Sequence, residues 1–252
     1  MVLELVDILQ GSFSLAFVII SIVIGLTILS KYFKFKNRLY VLVGISWLGI
    51  SFPWLPDSIS FLMNISLGIS LSVELYFIIG NVFIPIALLS WIIAYTDMIN
   101  KEKQNIAVIL TIIFSVVFEI TFFTLFFIDL DLIGVINPIR PFTVDFSIFI
   151  TIYLVFIILF MLITGTIFAQ KSIKSENREV RLKGKLLRGA FITFTIAAIL
   201  DALLGMIFED PTDPLLSIMV VIIRIMLIIS ALEFYGGFLL PRWMEVIFTK
   251  SK

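Results

Sequence analysis

Four polar side chains lie inside long apolar stretches of the sequence, where an ionisable group is costly unless it is paired or hydrated. They are Asn81, Glu119, Asp201 and Arg224. A guanidinium near two carboxylates and an amide can bind a charged ligand group, hold a proton or form a buried ion pair. No spacing of nucleophile, base and oxyanion donors accompanies them, so we expect no enzymatic activity.

The chain contains no Cys and no His, which removes several kinds of chemistry at once. Disulfides, thiolate nucleophiles and thiolate metal sites are impossible. The imidazole bases and ligands of zinc proteases, histidine-held haem sites and Ser-His-Asp hydrolases are absent too. A carboxylate metal site stays possible, but the sequence has no dense cluster of Asp and Glu to form one. We therefore expect neither a metal site nor another cofactor.

The composition is that of a membrane protein. Of 252 residues, 61% are hydrophobic and 14% charged, with a mean hydropathy of +1.17. A soluble domain is roughly 45–50% apolar and about 25% charged. Since a spanning helix needs about 20 apolar residues, the sequence predicts an all-α, polytopic seven-transmembrane-helix bundle, with 1–252 as one domain. The expected spans, numbered 1 to 7, are 8–30, 39–57, 72–96, 106–127, 145–169, 187–208 and 215–239.

Two segments need a separate interpretation. The apolar stretch 58–71 is too short for a span of its own, and we expect an interfacial loop or a short helix there. The acidic start of the chain lacks the basic n-region of a secretory signal peptide. We therefore expect the first apolar run to stay as a transmembrane helix.

The distribution of Lys and Arg predicts the orientation. Sixteen of the 18 follow spans 1, 3, 5 and 7, whereas Arg140 follows span 4 and Arg224 lies within span 7. We therefore expect the N terminus outside and the C terminus in the cytoplasm of a multi-pass cell-membrane protein. The basic stretch 171–188 then faces anionic lipid, and it could also dock an acidic cytoplasmic protein. No nucleic-acid partner is needed to explain it.

The four polar residues are predicted to share one layer of the outer half. Arg224 lies roughly 14 Å from the outer end of span 7, at ~1.5 Å per residue. Glu119 and Asp201 lie roughly 9–11 Å below the same surface, with Asn81 at a similar level. Spans 6 and 7 are joined by the short segment 209–214 and should be antiparallel neighbours, so we expect Asp201 to pair with Arg224. Pro85 should kink span 3 near Asn81.

Two segments resemble a known family. GNVFIPIALLSWIIAYTDMINKEKQ (80–104) is similar to the third helix of the seven-helix sensor region of some prokaryotic histidine kinases, through Gly80, Pro85, Trp91 and Tyr95-Thr96. YGGFLLPRWMEVIF (235–248) resembles the passage from such regions to a cytoplasmic output, and equally resembles stand-alone archaeal seven-helix proteins of unassigned function. The likeness covers about a fifth of the chain. The His and Trp often found after the fourth helix of that family are missing, and no output domain precedes Lys252, so we expect signals to pass to a separate partner.

Three functional hypotheses follow. The first is a receptor-like or sensor-like protein that binds a small or amphipathic ligand at Asn81, Glu119, Asp201 and Arg224 and signals through cytoplasmic loops. The second is a secondary transporter or a proton- or cation-coupled carrier, with Glu119 and Asp201 as coupling carboxylates. The third is a structural membrane subunit whose charges hold the bundle together.

Overall fold

The computed structural model describes residues 3–137, 140–208, 210 and 213–249. Within these ranges the chain forms ten α-helices and one β-hairpin. The elements are α1 (Leu5–Phe35), α2 (Leu39–Ser51), α3 (Leu55–Leu67), α4 (Val73–Asn81), α5 (Ile84–Ile99), α6 (Gln104–Ile128), β1 (Gly134–Ile136), β2 (Val144–Phe146), α7 (Ile148–Ile173), α8 (Arg178–Ile207), α9 (Pro214–Leu239) and α10 (Arg242–Thr249).

Seven helical segments of this described part are long and apolar enough to cross a membrane, which indicates a multi-pass membrane protein. Spans 1, 4, 5, 6 and 7 each contain one long helix, α1, α6, α7, α8 and α9. Span 2 combines α2 with α3, and span 3 combines α4 with α5. The stretch 58–71, expected to be a loop or a short helix, mostly belongs to α3 and continues span 2. Span 6 begins at Arg178, nine residues before the expected start, because the side chain of Asn177 caps α8.

Prolines interrupt spans 2 and 3 on the same side of the bundle. A 3-10 turn at Phe52–Trp54 separates α2 from α3, with Pro53 inside the turn and Pro56 in the first turn of α3. Span 3 breaks between the end of α4 and Ile84, with Pro85 in the first turn of α5. Proline lacks the backbone N–H of a continuing helix and clashes with the preceding turn. The interruptions divide span 2 into α2 and α3, and span 3 into α4 and α5.

α1, α8 and α9 form the centre of the bundle. α9 packs between α1 and α8, while α7 covers the other side of α8, and α2 lies between α1 and α5. Glycines permit the closest approaches: a Cβ on Gly44 would lie 2.9 Å from the carbonyl oxygen of Gly25, and one on Gly165 would meet the Phe191 ring. α6 packs mainly on α5, and its segment is the least buried of the seven long apolar segments. α6 is therefore the peripheral helix.

The two ends of the bundle differ. At the basic end, which comprises 31–38, 97–105, 170–188 and 240–249, Arg38 donates two hydrogen bonds to Asp97, at 2.8 and 2.7 Å. The opposite end, termed the hairpin end, is covered by β1 and β2, which pair antiparallel with Val135 facing Asp145. The hairpin connects α6 to α7, a region expected to be loop. It is the element that reaches back over the bundle.

Candidate functional site

Arg224 is the centre of a buried ion cluster. It lies in the third turn of α9, and its side chain is only 2% exposed. Nη1 lies 2.7 Å from Oδ2 of Asp201 on α8, and Nη2 lies 3.6 Å from Oδ2 of Asp57 on α3. One guanidinium therefore faces two carboxylates, so this trio carries a net charge of −1 when all three groups are ionised.

Two aromatic side chains complete the cluster with their polar atoms. The indole Nε1 of Trp54 donates a 2.8 Å hydrogen bond to Oδ2 of Asp201. The hydroxyl of Tyr76 donates to Oδ1 of Asp57. Trp54 ends the 3-10 turn of span 2, and Tyr76 follows the Ser72 cap of α4 by one turn. The helix interruptions thus place an indole and a phenol beside the carboxylates.

The hairpin adds a second guanidinium, that of Arg140, from the hairpin end of the bundle. Arg140, 4% exposed, donates from Nη2 to Oε1 of Gln10 on α1 at 2.7 Å. The amide nitrogen of Gln10 donates in turn to the carbonyl oxygen of Phe142. Burial lowers the pKa of Arg140 from its ordinary value, while the carboxylates of Asp7 and Asp201 oppose that shift. Gln10 therefore joins the hairpin to the bundle immediately beside the ion cluster.

A cavity of about 300 Å³ lies between the cluster and α7. Its lining includes the polar residues Gln10, Trp54, Asp57, Tyr76, Arg140, Thr143, Asp145, Asp201 and Arg224. Apolar side chains line it as well, among them Leu154, Val155, Ile157 and Ile158 of α7 and Phe194 and Ala198 of α8. Ligand sites in proteins are mostly apolar clefts of about 300–1,000 Å³ with a few convergent polar groups. This cavity has that character at the small end of the range.

Of the four residues singled out from the sequence, the structure brings two together. Asp201 and Arg224 form the expected contact between spans 6 and 7. Asn81 is buried but donates its side-chain amide to the carbonyl oxygen of Phe77 in its own helix, at 3.0 Å. Neither Asn81 nor Glu119 lines the cavity.

Glu119 lies at a different place around the bundle. It is half-buried on the peripheral helix α6, where its carboxylate interacts electrostatically with the phenol of Tyr153 on α7. Depth along a helix can be estimated from the residue count, but the direction in which the side chain points depends on helix rotation and on neighbours. Even at the depth in the membrane expected from the sequence, the side chain of Glu119 does not reach Arg224. The reason is that α6 packs on α5 rather than on α8 or α9.

Five site residues were missed from the sequence, namely Gln10, Trp54, Asp57, Tyr76 and Arg140. Asp57 and Trp54 lie at the outer end of predicted span 2, where surface acids and the aromatic residues of a membrane interface are common. Both are buried. One signal in the sequence could have identified Arg140: together with Arg224 it stands apart from the basic clusters of the chain.

The donor set of the site combines charged, hydrogen-bonding and apolar groups. No group of three or more Asp or Glu residues able to hold a metal ion occurs in the ranges that the structure describes. The charged atoms already contact one another, and the cavity beside them offers apolar surface together with carboxylate, indole and phenol groups. The arrangement is suited to hold a small molecule with one polar end.

In the described part of the chain, fold and site together define a helical-bundle protein with seven segments long and apolar enough to span a membrane and an ion cluster beside a cavity. Comparisons of the chain with protein-family models, with curated proteins and with solved structures find no match in any of the three. The resemblance to histidine-kinase sensor regions therefore rests on the residues of 80–104 and 235–248 alone.

Proposed function

We propose that this protein is a receptor-like or sensor-like membrane protein that binds a small amphipathic ligand in the cavity beside Arg224. The observation that carries the proposal is the mixed lining of that cavity. Charged and hydrogen-bonding groups line it together with aliphatic side chains of α7 and α8. An amphipathic molecule satisfies both kinds of group at once, whereas water satisfies only the polar ones.

The proposed orientation places the hairpin end outside the cell and the basic end in the cytoplasm, following the distribution of Lys and Arg. A ligand would then enter from the hairpin end, past Arg140 and Phe142. The cavity is lined by both α7 and α8, and these helices meet at the turn of the basic stretch 171–188. A change in their separation would alter the surface offered to a cytoplasmic partner.

The binding step can be tested with 1-octanol as a probe of stated chemistry. Thermal unfolding of the purified protein in maltoside micelles is followed as octanol is added. At a free probe concentration of 100 times Kd, binding stabilises the folded state by about 2.7 kcal/mol. Ala198→Phe places a ring in the cavity and should abolish this stabilisation. The matched control is Ile196→Phe, which adds the same ring to the same helix at a position that is 46% exposed.

Octanol should stabilise the wild type and the Ile196→Phe variant, but not the Ala198→Phe variant. Equal responses of all three proteins would contradict a cavity site. Because the chain has no Cys, nitroxide labels can be placed at Glu102→Cys and Glu176→Cys without background. A receptor should show a shifted distance distribution between the two labels when octanol is bound. An unchanged distribution would contradict the signalling part of the proposal.

A second candidate function, a proton- or cation-coupled carrier, is favoured by one observation. Asp57 and Asp201 both face Arg224 within the bundle, and paired carboxylates with a movable counter-charge are typical of coupled transport. The carrier hypothesis from the sequence named Glu119 and Asp201 as the coupling acids, and the structure favours Asp57 in place of Glu119. Proton flux into proteoliposomes distinguishes the two functions. A receptor should not accelerate it, whereas a carrier should do so and lose the acceleration in Asp201→Asn.

A further inference from the structure

The charges around the cavity determine which end group fits best. Four charged side chains near the site are almost fully buried, and they balance: Asp7 and Asp57 are acidic, while Arg140 and Arg224 are basic. Two further acids line the cavity, namely Asp201, whose side chain is 19% exposed, and Asp145, which is exposed on the hairpin. They add negative charge that the two guanidinium groups do not neutralise. An uncompensated charge within a membrane bundle attracts a counter-charge or takes up a proton.

The exposed part of the cluster is also its negative part. The guanidinium groups of Arg224 and Arg140 are only 2% and 4% exposed, although Nε of both residues and Nη1 of Arg224 make no hydrogen bond with the residues that the structure describes. A carboxylate or phosphate ligand would have to open the packing around these buried groups before it reached a guanidinium nitrogen. A positively charged group can approach Asp201 directly, since its side chain is the most exposed of the three charged groups in the ion cluster.

The walls near Asp201 are aromatic. Trp54, Tyr76 and Phe194 line the cavity, and the rings of Trp54 and Phe194 are 5.8 Å apart in an edge-to-face arrangement. Aromatic faces attract organic ammonium groups through the ring quadrupole, and the attraction grows when the cation is desolvated. The described residues include no cluster suited to a metal ion. An ammonium group is therefore the cation that these walls favour.

We infer that the ligand is a small amphipathic amine. Its ammonium group lies against the carboxylate of Asp201 and the neighbouring rings, and its single apolar chain lies along Leu154, Val155 and Ile158. The volume of about 300 Å³ suits a molecule with one short chain and excludes a two-chain lipid. This inference rests on the proposed function, because it names the ligand class of the same cavity.

The test compares three probes with the same chain, namely octylammonium, 1-octanol and octanoate, by titration of the protein in maltoside micelles. The signal that each probe gives by partition into micelles is measured with the Ala198→Phe variant, whose cavity is filled, and is subtracted from the wild-type titration. We expect the Kd of octylammonium to be about tenfold lower than that of octanol, as a desolvated cation–π contact predicts, and octanoate to bind more weakly than octanol. Asp201→Asn should reduce the ratio of the octanol Kd to the octylammonium Kd to about one, as expected when the charge that attracts the amine is removed.

The matched control is Asp131→Asn, which removes an exposed acid at the same end of the bundle. It should keep the amine preference within about twofold of wild type, because a surface charge is screened by salt. If octanol binds and the amine binds no better, or octanoate binds best, the inference fails while the cavity site stands. If none of the three probes binds, the proposed function fails together with it.

Discussion

Replacing Arg224 by methionine removes one guanidinium and leaves two carboxylates facing each other. Its nitrogens lie 2.7 Å from Asp201 and 3.6 Å from Asp57. At an effective dielectric constant of about 20, these contacts correspond to gross attractions of about 6 and 5 kcal/mol. Desolvation offsets much of this, and a carboxylate can take up a proton. We therefore expect Arg224→Met to lower the free energy of unfolding by about 3–5 kcal/mol, as for other broken buried pairs.

The prediction is checked by unfolding in mixed micelles with increasing dodecyl sulfate, with Ile225→Met on the exposed side of the same helix as the control. Adding Asp201→Leu to Arg224→Met should restore little, because the buried carboxylate of Asp57 still lacks a counter-charge. Adding Asp57→Asn as a third change should recover most of the loss, to within about 1–2 kcal/mol of wild type. A loss below about 1 kcal/mol for Arg224→Met would refute the view that this guanidinium compensates both carboxylates.

Two further sets of variants address contacts outside the ion cluster. Gln10→Leu removes the amide that joins Arg140 to α1, so amide hydrogen exchange in β1 and β2 should accelerate about tenfold, which corresponds to 1.4 kcal/mol. Unaltered exchange would mean that the hairpin is held elsewhere. Trp91→Phe removes the 2.8 Å hydrogen bond from Nε1 to Oγ1 of Thr164 and should lower the free energy of unfolding by about 1–3 kcal/mol. Together with Thr164→Val the loss should be smaller than the sum of the two single losses, and simple additivity would argue against the bond.

The helical class could be predicted because it follows from the length and hydropathy of continuous segments. Seven apolar runs correspond to the seven long helical segments that the described residues form. The details at their ends could not be predicted in the same way. Proline and polar residues at 53–58 suggest the end of a span, whereas the helix resumes after one 3-10 turn and continues to Leu67. Packing against neighbouring helices stabilises this continuation, and the sequence of a single segment does not contain that information.

The ion pair of spans 6 and 7 could be predicted because a short connection makes these spans neighbours. Residues that reach the site from distant parts of the chain could not. Gln10 and Arg140 are 130 positions apart, and their contact depends on a hairpin that folds back over the bundle. Asp57 and Trp54 depend on the direction in which span 2 bends. Composition and periodicity describe single helices, whereas this site is formed by the directions that several helices take relative to one another.

The position of Arg224 in span 7 has a consequence for biosynthesis. A chain is made from its N terminus, so Asp57 and Asp201 are both synthesised before the guanidinium that faces them. Until span 7 enters the membrane, the first six spans carry carboxylates without their counter-ion, and protonation is the low-cost way to keep such groups in an apolar surrounding. Entry of span 7 then brings Arg224 to these carboxylates, so that insertion of this helix and assembly of the ion cluster become the same event.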